Sequence, residues 1–133
     1  MQFPDPVLAD EFVARFILES SKYRISDMRV TYSAFMPARD NILSVFRTDY
    51  LTQDQIIALG KEFVASPRAR EVQAYGTVKS SIFFDQDLQM LPTSEPHPRH
   101  VDVIGWTEKE ANRSRAQIIA EFATLLVVKR ICA

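Results

Sequence analysis

The chain has 133 residues, 47% of them hydrophobic and 25% charged, the composition of one globular domain with a real core. Sixteen basic against seventeen acidic residues leave a formal net charge of −1, too little for the electrostatic footprint of a nucleic-acid or anionic-membrane binder. A single cysteine, Cys132, excludes an internal disulfide, and no apolar run, 125–128 included, approaches the roughly 20 residues of a membrane span.

The opening Met1-Gln2-Phe3-Pro4-Asp5-Pro6 carries no leader pattern, so the expected compartment is a reducing cytoplasm. Asp5-Pro6 predicts a helix start, and Leu8, Phe12 and Phe16, widened by Val13 and Ile17, predict its apolar stripe. On such a helix Glu11, Arg15 and Glu19 fall along one solvated line. Residues 29–36 alternate, with Val30, Tyr32, Ala34 and Met36 on one face and Arg29, Thr31 and Ser33 on the other. Pro37-Ala38-Arg39-Asp40-Asn41 carries turn chemistry and 42–48 is β-rich, so these two runs predict an antiparallel hairpin.

Thr52 and Gln55 predict a capping box that opens a helix over 53–66, with Ile56, Leu59, Phe63 and Val64 on its apolar face and Pro67 ending it. Residues 72–84 return to β character, with Val78, Ile82 and Phe84 on one face and a bulge or bend at Gly76. The stretch 85–99 reads as a long, partly extended connection, and 100–104 as a short strand. Thr107 and Glu110 predict a second capping box, before a last and longest helix from 111 to about 129. Its Ile118, Ile119, Phe122, Ala123, Leu125, Leu126, Val127, Val128 and Ile131 surround the axis, and a helix apolar all round must be covered on more than one side. That places a partner or homo-oligomer interface at Phe122, Leu126 and Val127, with closure by the first helix as the plainer alternative. Together the elements predict a single α+β domain over 1–133: a mainly antiparallel sheet of about four strands with two or three packed helices.

Residues 95–106 hold both histidines, two of the seven prolines and the only tryptophan. If the segment is extended, His100, Asp102, Ile104 and Trp106 share a face while Val101 and Val103 point the other way. A carboxylate beside an imidazole fixes its tautomer and raises its basicity, so Asp102 is expected to raise the His100 pKa. His97 and Arg99 precede them on a proline-stiffened arm, and the hairpin could bring Arg39 and Asp40 near. His97, Arg99, His100, Asp102 and Trp106 are therefore the candidate ligand-binding residues, suited to a carboxylate or phosphate; the plainer reading is of satisfied groups beside a sheet edge. No nucleophile or third partner stands at a recognised spacing, so no catalytic residue is assigned. His97 and His100 have no zinc-site spacing and Cys132 is remote, so neither a metal nor any cofactor is implied. Cys132 itself reads as a small buried or frayed thiol. Gly76-Thr77-Val78-Lys79-Ser80-Ser81 lacks the glycine-rich cradle of a phosphate loop. Nucleic-acid binding ranks last, since Arg68, Arg70, Arg113 and Arg115 are better explained as solvated helix faces.

Ala34-Phe35-Met36-Pro37, Leu43-Ser44-Val45-Phe46-Arg47 and Pro98-Arg99-His100 leading to Gly105-Trp106 carry a resemblance. From about residue 9 to 124 the chain resembles a group of small bacterial proteins with a Phe-x-Pro turn, a Leu-Ser-Val-Phe-Arg strand and a Pro-x-His…Gly-Trp segment. The resemblance implies a bacterial cytoplasmic source and one α+β domain, and brings no activity with it. The function expected from the sequence is that of a non-catalytic interaction or accessory protein, acting through a homo-oligomer or a protein partner. The alternative is a small enzyme or anion-ligand-binding domain using His97, Arg99, His100 and Asp102.

Overall fold

The computed structural model describes residues 6–128. Its strands are Phe12–Ile17 (β1), Tyr23–Arg24 (β2), Arg29–Val30 (β3), Leu43–Arg47 (β4), Ala74–Lys79 (β5), Gln89–Pro92 (β6), His100–Ile104 (β7) and Thr124–Val127 (β8). Gln53–Gly60 (α1), Ser80–Asp85 (α2) and Lys109–Glu121 (α3) are α-helical. Six strands form one antiparallel sheet in the order β6-β7-β4-β1-β5-β8, while β2 and β3 make a separate ribbon. The class is α+β with a mainly antiparallel sheet, as expected, but the main sheet has six strands instead of about four.

The first correction is β1, where a helix is predicted. Spacing of four residues suits a helix, yet four is also a multiple of the strand period of two. β1 lies inside the sheet and is buried on both faces: Val13 and Ile17 join one core cluster, Ala14 and Phe16 the other. Two-sided burial removes the polar alternation by which a strand is recognised.

The predicted hairpin also fails. Only Arg29–Val30 is extended, Tyr32–Phe35 is a 3₁₀ turn, and β4 pairs with β1 and β7 instead. Ala34 and Phe35 are consecutive and both buried, which a half-buried strand cannot arrange. Gly76 is not a bulge, since the β1–β5 register runs unbroken through it. Its hydrogen side chain allows a close approach instead: a Cβ there would lie 2.9 Å from Val30 Cγ2.

The Thr52 capping box forms as predicted, with Gln55 N donating to Thr52 Oγ1 at 3.2 Å and Thr52 N donating to Gln55 Oε1 at 2.9 Å. The second box does not. Glu108 is the N-cap of α3 without a side-chain bond, and buried Asn112 holds Thr107 through its N–H (2.9 Å) and its carbonyl (3.3 Å).

The last correction concerns the long terminal helix that carries the predicted interface. α3 ends at Glu121, the chain turns, and β8 pairs with β5, so the long apolar helix is really a helix followed by a strand. Leu126 packs against the α1-side core and Val127 against the α3-side core, while Phe122 alone of the three is exposed, at 59%. Pleated backbone sends successive side chains to opposite faces, which explains apolar residues in every direction without a partner. Lys129, Ile131 and Cys132 lie outside the described residues.

One core cluster fills the space beneath α2, α3 and the Tyr32–Phe35 turn, the other beneath α1. After Gly60 the α1 helix widens into a π turn over Lys61–Ala65 and tightens into a 3₁₀ turn over Ser66–Arg68. Among the described residues no helix is long and apolar enough to cross a membrane.

Candidate functional site

The predicted cluster is dispersed. His100 is buried opposite Phe46, its ring edge-on at 5.1 Å, and its Nδ1 lies 2.6 Å from Thr93 Oγ1. The single hydroxyl proton of Thr93 has a carbonyl, Glu95 O, at 2.9 Å. With the proton placed there, Nδ1 donates to Thr93 and Nε2 is the basic nitrogen. Asp102 Oδ1 stands 3.7 Å from Nδ1, beyond a hydrogen bond. Burial therefore outweighs the carboxylate, and the His100 pKa is lowered where the sequence argument expects it raised.

Arg99 turns toward the end of β4, where its Nη1 donates to Arg47 O at 3.3 Å and Asp49 O at 3.0 Å. It belongs there to a network around Arg47, which holds Glu11 by two bonds of 2.9 and 3.2 Å. His97 accepts the Arg99 backbone N–H at Nδ1 (3.0 Å) and packs edge-on against Phe63 at 4.8 Å. Burial and then the Arg99 charge lower its pKa. Trp106 leaves the His100 face entirely and joins Val101 and Val103 in the core, its Nε1 donating to Val103 O at 3.0 Å. Gly105 makes that reversal, with φ +100° and a Cβ position 3.2 Å from Asp87 O. Arg39 and Asp40 stay exposed in their turn, where Asp40 accepts the Ile42 N–H at 3.2 Å. Among the described residues no three His, Cys, Asp or Glu side chains gather in a way that could hold a metal ion.

A different constellation does converge. β1 and β4 are in register only at Val13–Arg47 and Ala14–Phe46; beyond Ala14 they part. The Arg15 guanidinium bridges across, Nε donating to Ala34 O at 2.9 Å and Nη1 to Ser44 O at 3.0 Å. These carbonyls fix the planar fork, and Nη2 has no acceptor among the described residues. Burial, and next the Arg68 charge, bring the Arg15 pKa down to about 10. No carboxylate lies within ion-pair distance of it among the described residues.

Arg15 lines a recess of about 120 Å³ together with Ser44, Arg68 and His100 on its polar side. The apolar side is Phe16, Phe46, Phe63, Val64 and Pro96. α1 supplies this wall through its π turn, a widened geometry that recurs at functional sites. Arg68 is held by its Nη1 bond to Val64 O at 2.8 Å. Gly60 seats the floor: a Cβ there would meet the Phe16 ring at 2.5 Å. An adjoining recess of about 200 Å³ shares Arg15, Phe16, Val64 and Arg68 and adds Lys22, Arg70, Leu18 and Glu19. Four cations thus face one carboxylate, and Glu19 already pairs with Arg70 at 3.4 Å.

Sequence reasoning identified His100 but missed Arg15, which the helix reading places on a solvated line, and Arg68, read as a solvated face. The available signal was a lone cation inside Phe12-Val13-Ala14-Arg15-Phe16-Ile17. No protein-family model, curated protein or solved structure matches this chain.

Proposed function

We propose that this protein is a non-catalytic binding module for a small anionic ligand, held in the cleft between β1, β4 and the C-terminal turns of α1. One observation carries the reading: the part-buried Arg15 guanidinium has, among the described residues, only carbonyls as partners, with Arg68 beside it and no carboxylate within ion-pair distance. An uncompensated buried charge costs several kcal/mol, and an anion is the group that offsets it. With Arg70 offset by its Glu19 partner, Lys22 leaves the adjoining recess a net positive field that draws anions in. The net charge of −1 does not oppose this, because attraction at a cleft depends on the charges nearby.

Calorimetric titration with phosphate, sulfate and acetate at constant ionic strength tests it. Saturable binding that Arg15→Met abolishes is the expected result, and absence of binding by all three ions and by larger organic anions overturns the reading.

The accessory-protein reading rests on Ile118 of α3 and on Phe122, the residue that caps its C-terminus, 38% and 59% exposed. Sedimentation of wild type and Phe122→Asp tests it: self-association lost in the variant supports a second copy there, and a concentration-independent monomer removes that version.

A further inference from the structure

We infer that the ligand is an aromatic acid: an anionic head, carboxylate or phosphate, on a single flat ring. The inference rests on the anion reading above and deepens it.

The two recesses share Arg15 and Arg68, so the guanidinium pair sits where they meet. On one side only lie Phe46, Phe63, Pro96 and His100; on the other only lie Lys22, Arg70 and Glu19. An inorganic ion would be served by the arginine pair and the cationic side alone. It would leave half-buried Phe63 and exposed Pro96 as an uncovered apolar wall. A ligand with its acid at the arginine pair and its body against that wall uses both halves.

Size and shape point to one ring. An apolar cavity of about 150 Å³ takes benzene, and the recess beside Phe63 measures about 120 Å³ and is open. Two rings of its wall, Phe16 and Phe46, already meet edge-on at 5.7 Å. A flat ring held against this wall can take the same geometry. Arg15, whose Nη2 has no acceptor among the described residues, and exposed Arg68 both line the recess and can donate to the head.

The test compares matched probes on the full chain by calorimetry or ligand-observed NMR: acetate against benzoate, and inorganic phosphate against phenyl phosphate, with benzyl alcohol as the uncharged ring. Benzoate is expected to bind at least tenfold more tightly than acetate, and phenyl phosphate at least tenfold more tightly than phosphate. Phe63→Ala should shrink both ratios to within about threefold while leaving acetate and phosphate unchanged. Arg68→Ala, an exposed position, should weaken all four anions. Ring-bearing and ring-free anions binding within twofold of each other would overturn the aromatic inference and leave the anion reading standing. Benzyl alcohol binding as tightly as benzoate, or no probe binding at all, would overturn both. The ratio between benzoate and phenyl phosphate tells which head is preferred.

Discussion

Replacing Arg15 with methionine distinguishes a binding group from a structural strut. In the free protein the change removes two hydrogen bonds from a cation to Ala34 O and Ser44 O, worth roughly 1.5–3 kcal/mol each. It also removes a charge disfavoured by burial and by Arg68. A pKa brought down to about 10 corresponds to roughly 3 kcal/mol, at about 1.4 kcal/mol per tenfold. These contributions largely offset, so the free variant should lose only about 0–3 kcal/mol. For a domain of this size that is roughly 3–5 °C in Tm per kcal/mol. Ligand separates the proteins: at a hundred times its Kd an anion stabilises wild type by about 2.7 kcal/mol and should not stabilise the variant. Urea denaturation with and without benzoate or phosphate, at fixed ionic strength, reads both quantities. Equal stabilisation of the two proteins, or a loss above about 5 kcal/mol without any anion, would show that Arg15 serves as a strut and refute the argument.

Thr52→Ala should cost ~1 kcal/mol through loss of the capping box. Thr107→Ala should stay within about 0.5 kcal/mol, because its hydroxyl makes only an exposed bond with Arg115; urea midpoints decide both. Gly60→Ala should destabilise by about 1–3 kcal/mol despite alanine's better helix propensity, since its Cβ meets the Phe16 ring at 2.5 Å; a gain in stability would show that the ring moves aside freely. His100 should titrate below its ordinary value, so its stability contribution is complete above the unfolded value of about 6.5 and is lost as pH falls through the folded one. NMR titration should show Asp102→Asn lowering that pKa further, and an unchanged value would show that the two groups are uncoupled.

The parts of the fold legible in the sequence are those whose signal is local. The Thr52 box is a contact between residues three apart, and β7 alternates because Val101 and Val103 face the core while Asp102 and Ile104 are half-buried. β1 and β8 were illegible for the opposite reason: both are apolar on both faces, and a short apolar run has no periodicity that separates strand from helix. The error propagated to the site. Once Phe12–Ile17 is taken as a helix, Arg15 falls between Glu11 and Glu19 on a solvated surface. As a strand the same residue lies in the sheet, Glu11 binds Arg47, and Glu19 binds Arg70. Both carboxylates that would have neutralised Arg15 are thereby spent elsewhere, a long-range outcome of register that no local pattern encodes.

The cleft and its charge arise from one departure from regular pairing. Where β1 leaves β4 after Ala14, Ser44 O is met by the Arg15 side chain in place of a backbone N–H. A neutral amide such as glutamine or asparagine would meet these carbonyls at lower desolvation cost, because it brings no charge into the gap, but its two N–H groups would then be spent. Guanidinium satisfies two carbonyls and still holds three further N–H groups. The residual donors come from this departure, and the lack of a carboxylate within ion-pair distance among the described residues comes from the pairing of Glu11 and Glu19 elsewhere; together they predict how affinity should scale. An acidic head gains from Arg15 and Arg68 together, so neutralising Arg68 should weaken charged probes more than Phe63→Ala does, whereas only the Phe63 substitution should erase the preference for a ring. A variant set in which the two effects cannot be separated would mean that head and body do not occupy distinct halves of the cleft.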